Sequence, residues 1–201
     1  METMAGKVVL VTGAGKGAGR AISRAFAAKG ANLAINDLTP INLDETEASI
    51  RQAGGRVKAY IVDVTKKMPI QGLVKSVLDD WGRIDILVNC AQVEPRANLL
   101  DMDDWDWQRT LDVNLTGVFL LMQSVGRVMQ IQGGGRILMV APIGEFEANQ
   151  GAFATSKAGL AELTRQAAKE LITSKITVHL IQADRMEDVD AQALSLCDQG
   201  G

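Results

Sequence analysis

The segment Val8-Val9-Leu10-Val11-Thr12-Gly13-Ala14-Gly15-Lys16-Gly17-Ala18-Gly19-Arg20 combines residue types and spacing that imply chemistry. An unbroken apolar run reads as a buried strand. It passes into alternating glycines, Gly13, Gly15, Gly17 and Gly19, ahead of an alanine-rich stretch with helical character. Glycines at such a turn let backbone N–H groups approach a pyrophosphate, which then rests on the positive end of the helix. The same residues also suit a bare tight turn that packs helix on strand. The next apolar run ends Ala34-Ile35-Asn36-Asp37. A carboxylate at that distance accepts both hydroxyls of an adenosine ribose and repels a 2′-phosphate. Taken alone, Asp37 is equally a solvated strand-end acid.

The elements that must hold these residues follow from periodicity. Short runs rich in Val, Ile and Leu predict strands over Lys7–Thr12, Asn32–Asp37, Val57–Asp63, Ile84–Asn89, Arg136–Ala141 and Ile176–Ile181. Longer amphipathic stretches predict helices over Gly17–Lys29, Leu43–Ala53, Pro69–Trp81, Asp104–Ile131 and Gly151–Thr173. Gly30, Gly54-Gly55, Gly82 and Gly133–Gly135 stand where helices should stop, and Asp103-Asp104 supply an acidic, capping start to the longest one. Near-continuous apolar strands alternating with helices imply an α/β fold. The expected architecture is a three-layer doubly wound parallel sheet, a Rossmann fold, in a single domain over 1–201. Ligands then bind at the carboxyl ends of its strands.

Thr12-Gly-x-x-x-Gly-x-Gly19 resembles the glycine motif of the short-chain dehydrogenase/reductase family, including its 3-oxoacyl-carrier-protein-reductase-like members. Asp63-Val64-Thr65 resembles that family's adenine contact. Asn89-Cys90-Ala91-Gln92 resembles its Asn-Asn-Ala-Gly motif with two positions changed. Asp112-Val113-Asn114-Leu115-Thr116-Gly117 resembles the helix carrying its active-site asparagine. The likeness runs from about Lys7 to Ile181. It implies a dinucleotide cofactor held by Gly13, Gly15, Lys16, Gly17, Gly19, Asp37, Asp63, Val64, Asn89, Ala91 and Lys157. Asp37 favours NAD over NADP. Lys16 argues the other way, since a basic residue in this loop often accompanies a 2′-phosphate in the family, although a surface lysine explains it as well.

In that family a tyrosine and a lysine four residues apart share one helix face. The tyrosine exchanges a proton with the substrate oxygen, and the lysine holds the nicotinamide ribose and lowers the tyrosine's pKa. Here the helix reads Gly151-Ala152-Phe153-Ala154-Thr155-Ser156-Lys157, so Lys157 matches the lysine and Phe153 stands at the tyrosine position. Tyr60, in the third strand, reads as a core residue. The serine position falls on Ala141 or Pro142, in a stretch through Gly144 without a hydroxyl. Asn114 and Lys157 are then the retained catalytic positions. Asn114 is also explained as a buried amide serving backbone groups, and Lys157 as a solvated helix residue. Thr155 and Ser156 point elsewhere on the helix, while Glu145 and Glu147 are conceivable acids in the loop before it. Three functions remain open: a nucleotide-binding protein with little or no dehydrogenase activity, an active oxidoreductase with a non-standard proton donor, and a scaffold that binds no nucleotide.

Composition narrows the partners. The 201 residues are 47% hydrophobic and 22% charged with net charge −3, which gives no basic footprint for nucleic acid or an anionic membrane. Cys90, Cys197 and the single histidine, His179, lack metal-type spacing. A reducing cytoplasm is the default location. After the sixth strand the turn reads Gln182-Ala183-Asp184-Arg185, and Ala193 to Gly201 resembles the family's closing strand and its Asp-Gly-Gly end. The expectation is that the substrate lobe after about residue 182 is largely absent. Small residues on the two longest helices (Gly117, Gly126, Ala154, Ala158, Ala161, Ala167 and Ala168) are expected on their exterior, where the resemblance implies a homodimer. A tetramer through the closing strand is a further option.

Overall fold

The computed structural model describes residues 4–142, 145–182 and 188–198. The six strands are β1 (Val8–Thr12), β2 (Asn32–Asp37), β3 (Arg56–Ile61), β4 (Ile86–Asn89), β5 (Gly135–Ala141) and β6 (Ile176–Gln182). They form one parallel sheet in the order β3-β2-β1-β4-β5-β6. Seven helices complete the described chain: α1 (Gly17–Ala28), α2 (Pro40–Gln52), α3 (Lys67–Trp81), α4 (Asp104–Leu111), α5 (Gly117–Gln132), α6 (Gly151–Leu171) and α7 (Val189–Asp198). The predicted doubly wound sheet is the architecture found.

Burial on both faces explains the apolar strands. Along β1, Val8 and Leu10 enter one core with Leu73 and Val77 of α3, Leu121 and Val125 of α5 and Leu160 of α6. Val9 and Val11 enter the opposite core with Ile22 and Phe26 of α1 and Leu43 and Ile50 of α2. Each β1 side chain is at most 1% exposed. A strand so placed has no solvated face to carry polar alternation.

Two predicted elements are corrected. The sequence predicts one helix over 104–131, but a π-helical turn, Asp112–Thr116, separates α4 from α5. The inserted turn is invisible to a 3.6-residue period and aims Asn114 inward. The closing strand expected from Ala193 onward is instead α7, and residues 199–201 lie outside the described residues. Val189, Ala193 and Cys197 are buried at four-residue spacing and pack into the α1 face of the sheet, which is helical rather than strand periodicity. Boundaries also shift: β3 ends at Ile61, so Asp63 lies in the following loop, and β4 begins at Ile86 rather than Ile84.

Candidate active site

The strand order reverses between β1 and β4, the switch point beyond whose carboxyl ends a crevice opens. A crevice of about 370 Å³ lies there. Gly13, Lys16, Gly17, Gly19, Asp37, Asp63, Val64 and Ala91, all predicted cofactor contacts, line it together. Gly13 has φ +65°, and a Cβ on it would lie 2.6 Å from the Ala91 backbone nitrogen. Only glycine lets the loop after β1 come this close to the end of β4. Lys16 is the extended N-cap of α1 and makes no side-chain capping bond, and α1 has no acid in its first turn. The helix start therefore presents its backbone donors and partial positive charge to the crevice.

Asp37 is held firmly at the crevice wall. Its Oδ2 accepts from the Gly15 N–H at 2.9 Å and its Oδ1 from the Thr39 N–H at 3.0 Å. Asp63 Oδ1 accepts from the Thr65 N–H at 2.9 Å. At the ends of β4 and β1, Asn89 donates to the Met139 sulfur, while its buried Oδ1 and the buried Thr12 Oγ1 have no protein partner among the described residues. Glycine approaches, an uncapped helix start and orphaned polar atoms at the strand ends fit a dinucleotide. A bound nicotinamide would supply a hydride donor or acceptor.

The predicted contacts Gly15, Asn89 and Lys157 do not line the crevice. Asn114, Phe153 and Lys157 instead come together behind the loop after β4, which Asn114 ties to α6. Asn114 is fully buried. Its Oδ1 accepts from the Val93 N–H, and its Nδ2 donates to the Val93 carbonyl and to Ser156 Oγ at 2.9 and 3.0 Å. The amide thus serves backbone groups, and the sequence held no sign that Val93 was the partner. Ser156 Oγ in turn donates to the Phe153 carbonyl, and Thr155 Oγ1 to that of Gly151.

Lys157 is 3% exposed, so the solvated-lysine alternative is excluded. Its Nζ lies 5.0 Å from the centroid of the Phe153 ring, with no hydrogen-bond acceptor among the described residues. Burial lowers its pKa to about 8, opposed by the nearby Cys90 and Glu94. Burial pushes the Cys90 thiol up to about 12. Phe146 meets Phe153 edge-on at 5.8 Å. β5 ends at Ala141, 1% exposed, followed by Pro142; neither offers a hydroxyl, and Ile143 and Gly144 lie outside the described residues. Tyr60 is remote from this chemistry. Its hydroxyl donates to Asp80 and accepts from the Trp81 indole, and its pKa is raised by burial and then by Asp80. Glu147 is ion-paired with Arg96 at 2.8 Å, and Glu145 lines the same side cavity beside Phe153.

Several crevice residues escaped sequence reasoning, among them Leu38, Val62, Val93 and Arg109. Arg109, in the last turn of α4, lines the wall one turn before Val113. Its only signal was helical spacing from Val113, which nothing distinguished from an ordinary surface arginine.

Comparison with known proteins agrees with this geometry. The family model described as short chain dehydrogenase matches residues 7–193. A 3-oxoacyl-[acyl-carrier-protein] reductase from Thermotoga maritima is 37% identical over 178 residues, 88% of this chain and 72% of that protein. The crystal structure of NAD+-bound xylitol dehydrogenase superposes with TM-score 0.86 at 36% identity, covering 90% of this chain and 71% of that one. A metagenomic short-chain oxidoreductase in complex with NADP superposes with TM-score 0.94 at 28% identity, covering 99% and 93%. Fold, crevice and sequence together assign this chain to the short-chain dehydrogenase/reductase family.

Proposed function

We propose that this protein binds a nicotinamide adenine dinucleotide, NAD(H) in preference to NADP(H), and has little or no dehydrogenase activity toward ordinary alcohols and ketones. The observation that carries the reading is the pairing of Lys157 with the benzyl ring of Phe153, where a proton-exchanging phenol would have to stand. Glycine approaches, the start of α1 and Lys157 form the binding surface, with Lys157 directed toward the nicotinamide ribose. Asp37, fixed by two backbone N–H groups, supports the choice of NAD: a 2′-phosphate there would face a carboxylate.

The loss of chemistry is quantitative. A positioned acid contributes roughly 10²–10⁴-fold, and a second donor aimed at the developing oxyanion adds to that. Phe153 cannot supply the first, nor Ala141 or Pro142 the second. A second reading, turnover with a non-standard proton donor, is favoured by one feature: Lys157 titrates near 8 and has no acceptor of its own. No described helix is long and apolar enough to cross a membrane, and the absence of a disulfide among the described residues fits a reducing cytoplasm. A homodimer through α5 and α6 completes the reading; a tetramer lacks the predicted closing strand.

Titration with NADH and NADPH by fluorescence, followed by assay against a panel of ketones and alcohols, tests this. Tight NADH binding without turnover is expected. Robust steady-state oxidation of a plain alcohol would overturn the reading.

A further inference from the structure

We propose that Arg109 is a further nucleotide-binding residue of the crevice, stacking its guanidinium on the adenine ring of the bound nucleotide. This rests on the nucleotide-binding reading and adds a residue that neither the glycine loop nor the catalytic helix supplies. The guanidinium lies 5.3 Å from the centroid of the Trp105 ring, one turn back on α4, so an indole already supports it. Arg20, Arg51, Arg83, Arg96 and Arg165 each hold a carboxylate. Arg109 holds none among the described residues, although it is half-buried in a crevice wall. A planar cation with its hydrogen-bond donors unclaimed stands ready for a ligand.

The surroundings specify which part of the ligand. Leu38, 52% exposed, lines the same crevice from the end of β2. The strand order puts β2 and β4 on opposite sides of β1, so Leu38 and Arg109 approach from opposite walls. Asp63 lines the crevice too, and a carboxylate accepts from an exocyclic amine. An apolar side chain, a planar cation and an acceptor suit a flat heteroaromatic ring bearing an amino group. A phosphate is poorly served in a crevice that also presents Asp37 and Asp63, which argues against the 2′-phosphate as the partner of Arg109. Guanidinium stacking needs the planar fork, so lysine is no substitute.

Direct titration of the wild-type chain, Arg109→Ala and Arg109→Lys with AMP, NADH and NADPH tests the assignment. Arg109→Ala should raise Kd for all three by about three- to tenfold, and Arg109→Lys should recover little of it. Thermal melting should change little, because among the described residues the Arg109 side chain is engaged with the exposed Trp105 ring alone. AMP binding unchanged in Arg109→Ala, a loss confined to NADPH, or full recovery by lysine would each overturn the proposal. If the wild-type chain binds none of the three, the nucleotide-binding reading itself falls and this inference with it.

Discussion

Replacing a phenol by a phenyl ring changes no volume worth noting, yet it changes what a neighbouring ammonium can do. Lys157 is left buried against an aromatic face, with burial opposed by that face and weakly by Cys90 and Glu94. Its pKa near 8 lies below that of an unfolded lysine, so between these values the unfolded chain binds more protons than the folded one. Stability must therefore rise with pH, beginning near pH 8. Cys90 opposes the trend from about pH 8 upward, because its thiol stays protonated to about 12 when folded but ionises near its ordinary value when unfolded. Both proteins carry Cys90, so the difference between them isolates Lys157: from pH 8 to 9 wild type should gain about 1 kcal/mol relative to Lys157→Met. Urea unfolding of both proteins at the two pH values measures it; parallel curves would sink the argument. Asp37 gives a second residue-scale expectation. Asp37→Ser removes the carboxylate that faces a 2′-phosphate, so Kd for NADPH should fall relative to NADH by about tenfold in paired titrations.

The strands and most helices were legible in the sequence because burial on both faces writes itself as unbroken Val, Ile and Leu, and because Asp103 caps α4 as its type predicts, accepting from the Trp105 N–H at 2.7 Å. The π turn was not legible. Its cause lies in contacts rather than local composition: Asn114 bridges the Val93 backbone and Ser156, tying the loop after β4 to α6. Helix α7 was misread because a family likeness in the last residues outweighed the four-residue spacing of Val189, Ala193 and Cys197. Among site residues, the glycines and Asp37 announced themselves by position after strands, whereas Arg109 needed the third dimension. The bridge through Asn114 makes an element-scale prediction. Asn114→Ala leaves the part-buried N–H and carbonyl of Val93 without their partner and should cost about 2 kcal/mol, seen as a lower urea midpoint. A variant as stable as wild type would mean that the π turn holds without its amide.

At the scale of the molecule, the groove between α5 and α6 presents a partly apolar face. Phe119, Met122, Gly126, Leu163 and Ala167 line it, and Phe119 is 41% exposed. Not every small residue expected outside is exposed: Gly117, packed against the Val64 carbonyl, Gly126 and Ala167 are buried in the single chain, the last two at the base of the groove. Gly126 is the informative position. A Cβ added there meets nothing within 4 Å in the single chain, so a side chain at 126 would rise into the groove and leave the fold intact. If a second copy lays its own α5 and α6 on this face, about 800 Å² per partner is needed for a stable contact, and bulk at 126 would hold the helices apart. Gly126→Arg should therefore fold with unchanged circular dichroism, melt no lower as a monomer because a helical glycine has been replaced, and sediment at half the mass of wild type. A wild-type chain that sediments as a monomer at micromolar concentration, or a Gly126→Arg variant that stays dimeric, removes this groove as the interface.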